Sequence, residues 1–140
     1  MTHHAIALKQ PRQHREDDLQ RYVVQLLRLC AVKGLVWFAV PNGEARSKVT
    51  GARLKALGVR PGVADFAMTL PGGKSAYLEL KSPTGRPSPE QRVFRSEVES
   101  AGAHYAIART PEQVQEILGA WGALRRSVRP SEAAGLEAAE

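Results

Sequence analysis

Two stretches of alternating apolar and polar residues, Val63 to Leu70 and Ser75 to Ser82, stand on either side of Pro71-Gly72-Gly73. Successive side chains on a strand point to opposite faces, so this pattern around a turn signal restricts the segment to an antiparallel hairpin. In the second stretch Ala76, Leu78 and Leu80 share one face, while Tyr77, Glu79 and Lys81 share the other. In the first, Phe66, Met68 and Leu70 lie opposite to Asp65, Ala67 and Thr69. Pairing the two strands brings Asp65 close to Glu79 and Lys81. Two acids and a lysine at one spot suit a hydrolase that holds a hard cation and handles a water beside a phosphodiester. An ordinary solvated hairpin would present the same charges, and a Glu-x-Lys on a strand taken alone favours that plainer reading. The choice between the two rests on the surrounding chain.

Upstream, Leu19, Tyr22, Val23, Leu26, Leu27 and Cys30 follow the spacing of one helix face, which predicts a helix from about Glu16 to Lys33 ended by Gly34. Leu35 to Val40 is a continuous apolar run closed by Pro41-Asn42-Gly43, the pattern of a buried strand and a turn. A short helix from about Val49 to Leu57, ended by Gly58, leads into the hairpin. After Lys81 the run Ser82-Pro83-Thr84-Gly85-Arg86-Pro87 forbids regular structure. Ser88-Pro89-Glu90-Gln91 then supplies a capping serine, a proline at the first helical position and a glutamine at the third, a capping box that opens a helix to about Ala101. Gly102 ends it, and His104 to Arg109 reads as a further strand. Thr110-Pro111-Glu112-Gln113 repeats the capping pattern before a last helix that buries Val114, Ile117, Leu118, Trp121 and Leu124. The predicted order is α-β-α-β-β-α-β-α. A flexible segment is expected over 1–13, one domain over 14–126 and a disordered tail over 127–140, where Ala, Glu, Gly and Pro dominate without periodicity.

At 140 residues the chain can bury a core without staples, and its single cysteine excludes an internal disulfide or a multi-cysteine zinc cluster. Cys30 falls among apolar helix positions and reads as a buried thiol. The four histidines, among them His14, His104 and the His3-His4 pair, show no zinc-site spacing. No run approaches the ~18 apolar residues of a membrane span, and the polar N-terminus lacks a signal peptide's apolar core, so no membrane association and an intracellular (cytoplasmic) location are expected. The net charge is +6, yet Arg129 to Glu140 holds three acids and one arginine, leaving 19 basic and 11 acidic residues in the rest. Between Ala45 and Ala64 there are five cations, Arg46, Lys48, Arg53, Lys55 and Arg60, and no acid. Such a cluster attracts a polyanion, although a solvated loop and helix face has the same composition.

Taken together, Arg60-Pro61-Gly62-Val63-Ala64-Asp65, Leu78-Glu79-Leu80-Lys81 and Gly85-Arg86-Pro87-Ser88-Pro89-Glu90-Gln91 resemble the VRR-NUC family, the virus-type replication-repair nuclease branch of the PD-(D/E)xK superfamily. The opening helix with Glu16 and Gln20, Val40-Pro41-Asn42-Gly43, and Ala52-Arg53-Leu54-Lys55-Ala56-Leu57-Gly58 resemble it too, so the likeness spans about residues 14 to 125. Ala64 stands where a proline often precedes the aspartate. Proline there shapes the backbone and supplies no ligand.

The resemblance implies an α/β, restriction-endonuclease-like core with a mixed central sheet flanked by helices. It implies Mg²⁺ or Mn²⁺ held by Glu16, Asp65, Glu79 and the backbone carbonyl of Leu80, with Asp65, Glu79, Lys81 and Gln91 as catalytic residues. Asp17 is the alternative to Glu16, since acids at a helix start also complement its dipole. Gln91 either contacts a phosphate or ligand water or only closes its capping box. Asn42, Arg46, Lys48, Arg53 and Lys55 are the candidates for contact with nucleic acid, while Trp37 and Tyr105 read as core. The implied activity is a metal-dependent endonuclease on branched or duplex DNA, acting as a homodimer on Holliday junctions or related structures. Two other readings are a binding module that has lost its chemistry and a restriction-type nuclease.

Overall fold

The computed structural model describes residues 12–41 and 48–126, with the side chains of the first helix described from Glu16 onward. Its elements follow the predicted order: α1 (Arg12–Cys30), β1 (Val36–Ala39), α2 (Lys48–Ala56), β2 (Phe66–Thr69), β3 (Ser75–Leu80), α3 (Pro89–Ser100), β4 (His104–Ala108) and α4 (Pro111–Ala120). The strands form one mixed sheet in sequential order, antiparallel from β1 to β3 and parallel between β3 and β4. The hairpin pairs Phe66 with Leu78 and Thr69 with Ser75, a register that sets Asp65 across from Glu79.

Each face of the sheet carries its own apolar cluster. On one face, α1 and α4 bury Val23, Leu26, Val114 and Leu118 against Phe66, Met68, Ala76 and Leu78. On the other, α3 packs Phe94 against Tyr105 and Ala64, with Tyr77 meeting Phe94 edge-on at 5.2 Å between ring centroids. The alternation along β3 therefore divides two buried layers rather than core from solvent, and Glu79 lies in the α3 layer at 3% exposure. A carboxylate so enclosed demands partners, because burial disfavours its charged form.

Several boundaries differ from the sequence reading. Helix α1 begins at Arg12, which takes Arg12 and Gln13 out of the expected flexible segment, and it stops at Cys30, short of Gly34. There Ala31 leaves the helix to bridge Leu124, and Arg125 N–H bonds the Cys30 carbonyl. Residues 1–11 and the tail 127–140 lie outside the described residues. The buried strand expected at Leu35 to Val40 is instead an edge strand: Val36 and Phe38 are 61% and 57% exposed, while Leu35 and Trp37 turn onto the core. A continuous apolar run implies two covered faces, whereas a strand at the sheet's edge is covered here on one. Trp121 caps α4, while Leu124 lies past its end. The second capping pattern is also altered, because Gln113 Oε1 accepts from Arg109 N–H rather than from the Thr110 cap.

Candidate active site

The site begins where β2 starts and β3 ends. Asp65 precedes β2, and its backbone carbonyl accepts from Val40 N–H at 2.8 Å. Its side chain reaches across the hairpin, where Oδ2 accepts from Leu80 N–H at 2.7 Å. The N–H and carbonyl of one strand residue project to the same side, so the Leu80 carbonyl belongs to this edge as well. Glu79 Oε1 is held from two directions, by Gln91 Nε2 at 3.0 Å and by Lys81 Nζ at 3.3 Å. Its other oxygen, Oε2, is buried without a hydrogen-bond partner.

The two carboxyl groups are within hydrogen-bonding reach of each other, but as carboxylates neither has a proton to donate. Burial, and then the neighbouring charge of Asp65, push Glu79 up to about 8. Burial also raises Asp65, against the opposing hydrogen bond from Leu80. Burial and the nearby Glu79 push the Tyr105 hydroxyl up to about 12. One proton or one cation between the acids would offset the buried charge of the pair and the repulsion within it. A hard divalent ion fits the donor set, since two carboxylates and a carbonyl leave room for the waters and phosphate oxygens that Mg²⁺ keeps. Among the described residues no group of three or more His, Cys, Asp or Glu side chains converges on one point.

Glu16 stands beside this pair and raises Asp65 by its charge, but its Oε1 accepts from Ser82 N–H at 3.2 Å. Asp17 is exposed, and Asp18 pairs with Arg21 at 3.5 Å. Gln91 closes the capping box, with Oε1 accepting from Ser88 N–H, and its Nε2 makes a contact the sequence reading did not foresee, donating to Glu79. The close approach behind this depends on Gly62, at φ +80°, where a Cβ would come within 2.5 Å of the Glu90 carbonyl carbon and 2.7 Å of Gln91 N.

A half-open cavity of about 870 Å³ is lined by Asp65, Glu79 and Gln91 together with Val40, Leu54, Lys55 and Val59. Lys55 is thus in the same cavity as the acids. Lys48 and Arg53 are exposed on α2 and do not line it. Arg60 also lines the cavity, while its guanidinium pairs with Glu97 at 2.8 Å and lies over the Phe94 ring. Asn42 and Arg46 lie outside the described residues.

Ser82 and Arg109 escaped the sequence reading. Arg109 Nη1 donates to the carbonyls of Ser82 at 2.7 Å and Gly85 at 2.6 Å, and Gly85 N–H bonds Ser82 Oγ at 2.9 Å. These bonds pin the loop that follows Lys81, whose own N–H is held by the Ala108 carbonyl at 3.0 Å. The Ser-x-x-Gly spacing was a visible turn signal, whereas nothing local ties position 109 to residues 24 and 27 positions earlier.

No family's sequence profile and no curated protein matches this chain. Among solved structures, one titled "VRR_NUC domain" superposes with a TM-score of 0.52 at 20% identity, over 75% of this chain and 95% of its own. Another, titled "VRR_NUC domain protein", gives a TM-score of 0.61 at 16% identity, over 79% of this chain and 95% of its own. With the mixed four-stranded sheet between helical layers, these matches give the chain the restriction-endonuclease-like fold of VRR_NUC domains.

Proposed function

We propose that this chain is a divalent-metal-dependent nuclease that hydrolyses DNA phosphodiester bonds by direct attack of water. The observation that carries the reading is the buried Glu79 carboxylate, set against Asp65 with one oxygen unpartnered, at the floor of a cavity that also holds a lysine. An unpaired carboxylate oxygen in a core calls for a proton shared with its neighbour or for a cation, and the cavity that opens on this pair favours the cation. Asp65 and Glu79 would hold Mg²⁺ or Mn²⁺ with the Leu80 carbonyl, and Glu16, which stands beside the pair with Oε1 on Ser82 N–H, would join the set by moving toward the ion. Such an ion, when bound, would supply Lewis acidity toward the phosphate and make a bound water easier to deprotonate.

The protein's own groups divide the remaining work. Gln91 fixes Glu79 so that its free oxygen stays aimed. The Lys81 ammonium, beside Glu79, orients the attacking water and offsets charge that develops on the phosphate. Lys55, in the same cavity, meets a phosphate on the same strand, and Arg53 and Lys48 extend the contact along α2. The finer proposal, a homodimer cutting Holliday junctions or other branched DNA, is supported by the family resemblance and by symmetry, since a twofold dimer sets two sites against two strands. Among the described residues no helix is long and apolar enough to cross a membrane, and we place the activity inside the cell.

The test is cleavage of linear duplex, single strands, flaps and a four-way junction with Mg²⁺ or Mn²⁺, beside Asp65→Asn and Lys81→Ala. Metal-dependent cutting that both variants lose, while retaining substrate affinity, is the expected result, with the junction cut preferentially. Binding without cutting in the unaltered protein would replace the nuclease with a binding module.

A further inference from the structure

A second cavity, about 860 Å³ in volume, opens at the opposite end of the sheet from the acid pair. It lies where the β2–β3 turn, the start of β4 and the end of α4 meet, and Lys74, Arg125 and Arg126 line it beside Trp121 and Leu124. Among the described residues no acid contributes to its wall. The end of α4 adds a fractional negative charge there, but its carbonyls are already satisfied: Ile117, Leu118 and Gly119 accept from Trp121, Ala123 and Gly122. Three full cations outweigh that fraction. Arg125 is held in place by its bond to the Leu29 carbonyl at 2.7 Å, and Trp121 is stacked on His104 with ring centroids 5.7 Å apart. One fixed guanidinium and two exposed cations thus stand next to apolar surface, an arrangement suited to an anion whose neighbours along a chain are sugars and bases.

We propose that this cavity is a second nucleic-acid site, which holds the phosphate backbone of a strand or arm other than the one being cut. It is separated from Glu79 by the length of β3, roughly 17 Å at ~3.3 Å per residue. A substrate engaged by both sites must therefore run past or around the sheet, which a branched or long nucleic acid can do and a short oligonucleotide cannot. From the proposed function this takes only that the substrate is a nucleic acid.

The experiment measures binding in the absence of catalysis, so that it stands apart from the nuclease reading. Fluorescence anisotropy of the full chain carrying Asp65→Asn, in chelator, is titrated with a labelled four-way junction over a range of salt, and repeated with Lys74→Glu and Arg126→Glu added. Both changed side chains are exposed, and circular dichroism checks that the fold is kept. The expected result is a loss of affinity of about tenfold or more and a salt slope shallower by about 2, as two phosphate contacts disappear. Arg21→Glu makes the same charge change as Arg126→Glu on the exposed face of α1 and should cost much less. Unchanged affinity and slope, or an equal loss from Arg21→Glu, would overturn the proposal and leave only the general positive field of the protein.

Discussion

The acid pair and helix α2 line one cavity, yet they are built on opposite terms. Glu79 is 3% exposed and held by side chains from α3 and the end of β3, while Asp65 is tied to the backbone of β3. Helix α2 buries none of its residues, and Val49 on it is 81% exposed. Folding thus fixes the carboxylates against the preference of their own charges, whereas it asks almost nothing of α2. The contrast teaches where each half must be probed: the acid pair through catalysis and pH-dependent stability, α2 through binding alone.

The largest effect should come from the acids. Asp65→Asn or Glu79→Gln is expected to lower the cleavage rate by at least about 100-fold, the scale of losing one group that stabilises charge in a transition state. In metal-free protein near pH 8, Glu79→Gln should keep or raise the thermal midpoint, because it removes a buried charge and leaves Gln91 an oxygen to bond. A large fall in that midpoint would show Glu79 to be a structural residue and erase the contrast.

Titration sharpens the same point at a scale on the order of a few kcal/mol. Glu79 is raised from 4.5 to about 8 in the folded protein, and Asp65 is raised too. A raised carboxyl favours folding fully below its unfolded value, and that contribution is lost as pH climbs through the folded one. Scanning calorimetry in chelator should therefore show stability falling between about pH 5 and pH 8, with a flatter profile for Glu79→Gln. Added Mg²⁺ or Mn²⁺ should restore stability at the upper end, since a cation favours the ionised pair. A wild-type profile parallel to that of the variant would mean that the carboxylates are not strained by burial.

Two glycines probe the support beneath the acids. Gly62→Ala places a Cβ into the backbone of α3 and forces a positive φ on alanine, so a cost of roughly 2–3 kcal/mol is expected, with cleavage weakened through Gln91. Gly58→Ala, at φ +87° with open space around it, should cost only about 1 kcal/mol. Equal denaturant midpoints for the two would show that the close approach to α3 does not matter.

Much of this was legible in the chain, and what was missed has a common cause. Period-2 alternation gave the hairpin, its faces and the opposition of Asp65 to Glu79, because register follows from which side chains must be buried. Ser88 and Gln91 announced α3 through chemistry local to four residues. The apolar stretch at 35–40 misled, since Val36 and Phe38 look like core and composition does not tell a strand whether it lies at an edge. Arg109 and Ser82 were invisible as partners because their contact exists only after β4 has come alongside β3. The site's residue types could be read from sequence, but its hydrogen bonding could not, and neither could the orphaned Oε2.

The smallest expected effect on stability tests the other half of the contrast. Arg53→Ala with Lys55→Ala removes two side chains from a helix with no buried residue, and alanine is the better helix former, so the thermal midpoint should stay within the change expected of about 0.5 kcal/mol. Binding should respond instead: if both cations meet phosphates, affinity falls across all DNA sequences alike and the salt slope drops by about 2. Because Lys55 shares the cavity with Asp65 and Arg53 does not, the single variants should separate, with Lys55→Ala lowering the cleavage rate at saturating DNA and Arg53→Ala altering only the DNA concentration needed. Identical behaviour of the two would place Lys55 outside the reacting strand's reach and confine α2 to general attraction of the polyanion.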